Sequence, residues 1–431
     1  MNKRKVYTAL FVLTMVVLFL PMLQQRFNWF KFRPLAGVTE QATTPWDRLA
    51  ENVGFKEAFV RSYNQLMWSL FSESQNKNLS VGKEGWLFNN YVMDHYTGRA
   101  AMLFGGNDSI VRRMNEDVLK LLQLQDILKE QGVVFFVCIP PSKDMVCEQY
   151  LPNIRPSRIV EHTRPIDYYP PLFDSLGINY IDFSELYMQM KDTVSYPLYY
   201  KKSSHWTNLS ATYMADTLIR YMEALSGLNM HNVAFGKPYV SWAREPDNDL
   251  EWVLNLSKPL NNDTYYYTKV VPDNDSTAVM PHWLVMGDSY FRGWQYNLPW
   301  DQLFASHHYW RYNTTVYDDP LHDNTAQVDL LRELLSRDFV TVMFTPCNLY
   351  DLNRGFLDKS LAVLNDRVRV AKVHDQMKDL ERERYRQGVL MNPEWQQSLK
   401  ERAAKSGITV EEAIEQDIDW LIMKKNENNN K

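Results

Sequence analysis

Cysteine is scarce in this 431-residue chain: Cys138, Cys147 and Cys347 share no C-x-x-C spacing, and they are too few and too odd in number for a disulfide framework or a thiolate zinc site. They read as structural thiols. Runs of like charge are scarce as well, since 47 basic and 52 acidic residues leave a net charge of −5 with no long basic stretch in either half. That balance excludes a dedicated nucleic-acid binder. Also missing are a Walker loop, G-x-G-x-x-G, H-E-x-x-H, an EF-hand and a G-x-S-x-G elbow, so NTPase, dinucleotide-binding and zincin chemistries drop out. No metal site or other cofactor is expected. Aromatic residues are plentiful instead, at 13% with 13 Trp, which suits either a large core or a surface that stacks on sugars. The length allows two or three domains, and the composition is that of a globular protein.

A long hydrophobic run occurs once, which excludes a polytopic membrane protein. Lys3, Arg4 and Lys5 precede an apolar run from Val6 to Leu23, and Gln24, Gln25 and Arg26 follow it. Eighteen residues at helical rise span about 27 Å, close to the hydrocarbon thickness of a bilayer. Pro21, Met22, Leu23 and Gln24 offer no A-x-A-like cleavage site, so residues 1–26 read as an uncleaved transmembrane anchor. The basic cluster predicts a cytoplasmic amino terminus with residues 27–431 outside.

Residues 27–80 read as a linker and helical segment, residues 81–365 as the main domain, and 366–431 as a small helical appendage with a polar tail from Asn426 to Lys431. In the main domain, Asn107 to Gly132 has helical periodicity. Val133 to Ile139 follows as a β-branched and aromatic run ended by Pro140-Pro141, the pattern of a strand buried on both faces. Shorter strands are expected at Asn179–Asp182, Trp283–Met286 and Phe339–Phe344, and helices at Leu209–Leu225 and about Ala326–Ser336. Alternation of this kind means α/β. Towards the end, Asn392-Pro393 starts a helix that Gly407 stops, and Thr409 with Glu412 forms a capping box for a last helix with Ile414, Ile418, Leu421 and Ile422 on its inner face.

The apolar strand Leu284-Val285-Met286 runs into Gly287-Asp288-Ser289-Tyr290. In an open α/β sheet, ligands bind at the carboxyl ends of strands, and glycine there lets the chain turn. Ser289 is then exposed as a candidate nucleophile, which needs a base to take its proton. Of nine histidines, His205 is the best candidate, because Ser203-Ser204-His205-Trp206-Thr207-Asn208 forms a polar loop just ahead of an amphipathic helix. His307, His308 and His322 lie in an aromatic, loop-like stretch and compete as base or substrate ligand. His95, His162, His231, His282 and His374 have no recognisable partner pattern.

Four segments in register resemble the SGNH-hydrolase-like proteins of the alginate O-acetylation family and the related bacterial family named for its Asp-His-His-Trp motif. They are Gly82-Lys83-Glu84-Gly85-Trp86-Leu87-Phe88, Ile139-Pro140-Pro141-Ser142-Lys143 with Leu151-Pro152, the His205-Trp206 loop, and Gly287-Asp288-Ser289-Tyr290. The resemblance covers about residues 80–350. It implies a flavodoxin-like SGNH hydrolase sheet with helices on both faces. It also implies a membrane-tethered or exported protein, here in the bacterial inner membrane with a periplasmic domain. Such proteins O-acetylate or deacetylate a cell-surface or exported polysaccharide, commonly beside a membrane-bound O-acyltransferase partner that delivers the acyl group.

Carried over by position, the resemblance makes Ser289 the nucleophile and His205 its base, while the aspartate expected two residues before the histidine is Ser203. Two arrangements stay open: a Ser-His dyad, with Ser203 or a backbone carbonyl to orient His205, and a borrowed acid such as Asp182 or Asp192. The chemistry expected is double displacement through an acyl-serine, with a sugar hydroxyl as acceptor or water in an esterase. The backbone N–H of Ser289 with Asn348 or Arg292 is the expected oxyanion site, Arg292 alternatively binding an anionic sugar. Asp288 is a further oxyanion or substrate candidate, although it is expected to bond local backbone. Trp86, Trp206 and Trp294 are candidates for a sugar platform. The rival reading is a catalytically impaired polysaccharide-binding or scaffolding subunit, supported by Ser203 at the acid position.

Overall fold

A computed structural model describes residues 3–37, 53–260 and 263–429. Helix α1 (Lys3–Phe27) contains the apolar run, and none of its apolar window is buried against the other described residues. Helix α2 (Lys56–Phe71) follows within the expected linker region, whose residues 38–52 lie outside the described residues.

The core of the main domain is a six-stranded sheet of β1 (Val134–Ile139), β2 (Tyr180–Asp182), β3 (His282–Gly287), β4 (Ser306–Arg311), β5 (Thr315–Tyr317) and β6 (Phe339–Met343). The strand period of two sends alternate side chains to opposite faces. Phe135, Val137, Leu284, Met286, Val340 and Val342 enter one core, while Phe136, Cys138, Trp283, Val285, Phe339 and Met343 enter the other. This is why β1, β3 and β6 are almost wholly apolar, the buried exception being Thr341, whose hydroxyl accepts Trp283 Nε1–H at 2.8 Å. Helix α3 (Asn107–Glu130) covers the first face with Met114, Val118, Leu121 and Leu128. Helix α4 (Asn208–Ser226) covers the second with Met214, Leu218, Ile219 and Met222. Each fully buried side chain of this size contributes roughly 1.5–3 kcal/mol.

Across the sheet the order is β5-β4-β3-β6-β1-β2, all neighbours parallel except the β4–β5 hairpin at one edge. Counted from β3 and closed around from β6 to β1, the parallel strands stand second, first, third, fourth, fifth, which is the flavodoxin-like order. The chain is thus a circular permutation of that order. The switch point where ligands bind falls between β3 and β6, and the segment containing His205 precedes the Ser289 strand in the chain.

Two expectations for the main domain change. The stretch with His307 and His308 is strand β4 rather than a loop, and its amino-terminal half lies beside the start of β3, with His307 in register with Trp283 and Arg311 with Gly287. Both histidines therefore sit towards the sheet end opposite Ser289. The helix expected at Ala326–Ser336 is shortened to α6 (Leu330–Leu335), because Asn324 caps a separate 3₁₀ turn and Asp329 caps the helix proper. A short helix, α5 (Asp249–Val253), lies between α4 and β3.

The carboxyl-terminal helices α7 (Arg367–Met391), α8 (Pro393–Ser406) and α9 (Val410–Asn429) bury Val389, Leu399, Ala403, Ala413, Ile414 and Ile418 in a core of their own. Asn392 caps α8 and the Thr409–Glu412 box precedes α9 as a reciprocal pair of hydrogen bonds. Helix α9 runs through Asn429, so the tail expected from Asn426 is helical there; residues 430 and 431 lie outside the described residues.

Candidate active site

The turn after β3 is held by Asp288, whose carboxylate accepts Tyr290 N on one oxygen and Thr345 N, Thr345 Oγ1 and Asn348 Nδ2 on the other, all within 3.0 Å. The carboxylate thereby joins the ends of β3 and β6. The two strands approach so closely that a Cβ on Gly287 would stand 2.3 Å from Met343 O, which only glycine permits. Ser289 opens the next turn, part-exposed at the carboxyl edge of the sheet.

The histidine loop reaches the same edge through three attachments. Trp206 is fully buried and donates Nε1–H to Tyr290 O at 3.0 Å, and Tyr290 returns a bond from its hydroxyl to Ser204 O at 2.5 Å. Gly293 leaves room for that indole: a Cβ there would stand 2.5 Å from Trp206 Nε1. The third attachment is Lys143, buried below the loop, with Nζ 2.8 Å from Leu87 O, 3.0 Å from Tyr200 O, 3.1 Å from Lys201 O and 2.6 Å from Ser203 O. Burial pushes this ammonium down to about 8, so it still carries charge at neutral pH. The Gly82–Phe88 segment and the Ile139–Lys143 segment thus meet beneath the histidine loop.

Held this way, His205 places Nε2 2.8 Å from Ser289 Oγ. Its Nδ1 lies 3.0 Å from Asp249 Oδ2 at the head of α5. Ser204 binds the same carboxylate twice, N–H to Oδ1 at 2.8 Å and Oγ to Oδ2 at 2.5 Å. Burial alone would raise the Asp249 carboxyl, but His205 and the Ser204 bonds outweigh it and hold the group below the ordinary carboxylate range. Ser204 Oγ also lies 3.0 Å from His205 Nδ1, so Ser289, His205 and Asp249 stand in series, with Ser204 beside the last step, in the order of a nucleophile, base and acid.

Asp249 was not singled out from the sequence, because it lies far from His205 along the chain in no fixed spacing; the one signal was a polar Glu-Pro-Asp-Asn-Asp stretch ahead of a short apolar segment. The structure overturns the alternatives. Asp182 caps the helix after the edge strand β2, accepting Ser184 N at 2.7 Å. Asp192 is exposed, and the His205 nitrogen it would bind faces Asp249. Ser203 is fully buried and bonds backbone, not the imidazole.

Other candidates move too. Trp86 is 8% exposed and stacked on Tyr150, and Trp206 and Trp294 are fully buried, so all three are core residues and no sugar platform. Asp288 bonds backbone as expected, and its burial keeps it from substrate. Asn348 gives its amide protons to Asp288 and Thr345 at 2.8 and 3.0 Å, which removes it as an oxyanion donor. Arg292 pairs with Glu245, bridging the Ser289 turn to the segment before Asp249. His307 stacks on Trp300, His308 bonds Glu333 and His322 bonds Asp319, so none serves Ser289. A group that sequence reasoning missed is Tyr312, whose hydroxyl faces Ser289 and which burial pushes up to about 12, keeping it a proton donor.

A family model described as an SGNH hydrolase-like domain, acetyltransferase AlgX, matches residues 79–300. Among solved structures, the chain is similar to the O-acetyltransferase domain of Pseudomonas putida AlgJ at 16% identity and a TM-score of 0.45, over 66% of this chain and 98% of that one. It is similar to Pseudomonas aeruginosa AlgX at 14% identity and 0.39, over 64% and 67%. For Bacillus cereus PatB1 the values are 15% and 0.37, over 56% and 92%. No curated protein matches in sequence.

Proposed function

This chain belongs to the family of SGNH hydrolase-like acetyltransferase domains described by AlgX, and from that premise we propose that it is a membrane-anchored, extracytoplasmic O-acetyltransferase acting on a cell-surface or exported polysaccharide. The observation that carries this reading is the contact series Ser289 Oγ to His205 Nε2 at 2.8 Å and His205 Nδ1 to Asp249 Oδ2 at 3.0 Å. Ser289 Oγ attacks the carbonyl carbon of an acetyl donor while its proton passes to His205 Nε2. Asp249 fixes the tautomer and stabilises the imidazolium. The tetrahedral oxyanion is assigned to the Ser289 N–H and the Tyr312 hydroxyl. Collapse breaks the donor's acyl bond, and His205 returns its proton to the departing group. A sugar hydroxyl then gives its proton to His205 and attacks the acetyl carbonyl, and as the ester bond to Ser289 breaks His205 returns that proton to Ser289 Oγ; water in that role makes the enzyme an acetylesterase.

The scaffolding alternative rested on Ser203 at the acid position, and Asp249 removes that support. Helix α1, with Lys3, Arg4 and Lys5 on the cytoplasmic side, is proposed as the anchor, and a membrane-bound O-acyltransferase as the partner that supplies the acetyl group across the bacterial inner membrane. The test is an acetyl adduct on the Ser289 peptide by mass spectrometry after incubation with an aryl acetate, with turnover abolished in Ser289→Ala. Serine-independent turnover, or none in the wild type, would remove the enzymatic reading.

A further inference from the structure

Helix α2 has two faces that serve different neighbours. On one, Asn64 donates to Leu254 O at 2.9 Å just beyond α5, and Trp68 packs into a small core of Leu79, Leu87, Leu250 and Leu254. That face is fastened to the element that supplies Asp249. On the other, Phe59, Tyr63, Leu66 and Leu70 recur at steps of four, three and four and form one stripe along the helix. They are 58%, 53%, 53% and 64% exposed. An apolar helical stripe of this length left in water is unfavourable and marks a surface with a partner.

The position of the stripe identifies that partner. Gly54, immediately before α2, packs on the end of α1 so tightly that a Cβ would stand 2.0 Å from Pro21 O. Helix α2 therefore starts where the apolar run of α1 ends. Around the junction, Phe55 contacts Phe30 and Phe32 with ring centroids 6.1 and 5.8 Å apart, and Phe27 stacks on Trp29 at 5.4 Å. Phe27, Trp29 and Phe30 are exposed, and Lys31 and Arg33 follow. Aromatic residues at headgroup level with basic residues beside them are the composition of a membrane-water interface.

We propose that α2 lies in the outer bilayer interface with Phe59, Tyr63, Leu66 and Leu70 among the lipids, so that its opposite face holds the Asp249 element, and with it the Ser289–His205 site, at a fixed place above the membrane. This rests on reading α1 as a membrane span. The occupant is lipid, because the stripe continues from the end of the span and shares its aromatic and basic surroundings.

The test uses the full chain in phosphatidylethanolamine–phosphatidylglycerol nanodiscs, with an environment-sensitive fluorophore on Leu66→Cys, Leu70→Cys or Leu13→Cys, and the labelled parent as background for the native thiols. Blue-shifted emission at 66 and 70, quenched by lipids brominated at shallow acyl positions, supports the proposal. Quenching at 13 by deeply brominated lipid, with 66 and 70 unshifted or shielded but unquenched, overturns it while the span stands; shielding without quenching means that protein covers the stripe. Absence of quenching at 13 overturns the span itself, and the proposal with it.

Discussion

The Ser203 hydroxyl donates to Pro246 O at 2.8 Å and accepts His205 N–H at 3.0 Å. The residue that stands where relatives are expected to have their acid therefore clamps the histidine loop to the segment that leads into Asp249. Nearby bonds act alike: Asn208 N to Asp247 Oδ1 at 2.8 Å and Leu250 N to Lys202 O at 3.0 Å. The acid proposed for the site, Asp249, comes from a different segment, and the position expected to hold it secures that segment.

Replacing Asp249 by Asn removes the charge that stabilises the His205 imidazolium and offers the wrong hydrogen-bonding group to Nδ1. Turnover on an aryl acetate should fall by about 10⁴, the size of the loss when a serine protease triad loses its aspartate. Ser203→Asp should lower turnover as well, since it forces an unpaired carboxylate into a fully buried position that now bonds Pro246 O. A gain of activity in Ser203→Asp would show that Asp249 is not the working acid.

Asp247 gives a stability slope of opposite sign to its neighbour. It is fully buried, one carboxylate oxygen has no hydrogen-bond partner among the described residues, and burial pushes its carboxyl up to about 7. The folded chain therefore holds a proton that the unfolded chain has released at any pH between the ordinary aspartate value and about 7. Stability from this group is full at the acid end of that window and is lost as pH rises through it. The loss amounts to a few kcal/mol, since each tenfold change in proton affinity is worth roughly 1.4 kcal/mol. Asp249, held below the ordinary range, is ionised in both states throughout that upper window and adds no slope there. Asp247→Asn should raise Tm at pH 8 more than at pH 5, read by calorimetry; equal effects at both would place the proton elsewhere.

Local punctuation made much of this arrangement legible. The strands β1, β3 and β6 are apolar on both faces and end at Pro140, Gly287 and Thr345, so the sheet centre and the turn before Ser289 could be read directly, and so could the polar loop of His205. The strand β4 could not, because Ser306, His307 and His308 sit at its rim against Arg337, Trp300 and Glu333, partners that only the fold supplies. Asp249 was hidden for the same reason. The tryptophans misled because their type reports area to be buried, not which side it is buried on.

Tyr312→Phe keeps the ring that stacks on Phe344 and removes only the hydroxyl facing Ser289. If that hydroxyl stabilises the oxyanion, kcat should fall by about 10² with little change in KM, since such a donor acts mainly in the transition state. A rise in KM alone would instead mark Tyr312 as a substrate contact.

Lys143→Met tests whether the histidine loop depends on the buried ammonium beneath it. The methionine stem fits between Trp86 and Phe88, whose rings lie 5.0 and 5.1 Å from Nζ, but it withdraws a donor from four carbonyls; Tyr200 O keeps Ser203 N–H at 3.3 Å and Lys201 O keeps Leu87 N–H at 2.9 Å, so Leu87 O and Ser203 O lose the most. Removing a buried charge recovers desolvation energy, whereas each orphaned carbonyl costs about 1–3 kcal/mol. Two carbonyls short of a donor against one recovered charge leave a net loss, expected at about 1–2 kcal/mol. The loss should be local: amide exchange should accelerate at residues 200–205 before it does in β1 or β3, and turnover should fall with it as His205 leaves Ser289. Uniform acceleration over the whole sheet would make Lys143 a general stabiliser and not the fastening of the histidine loop.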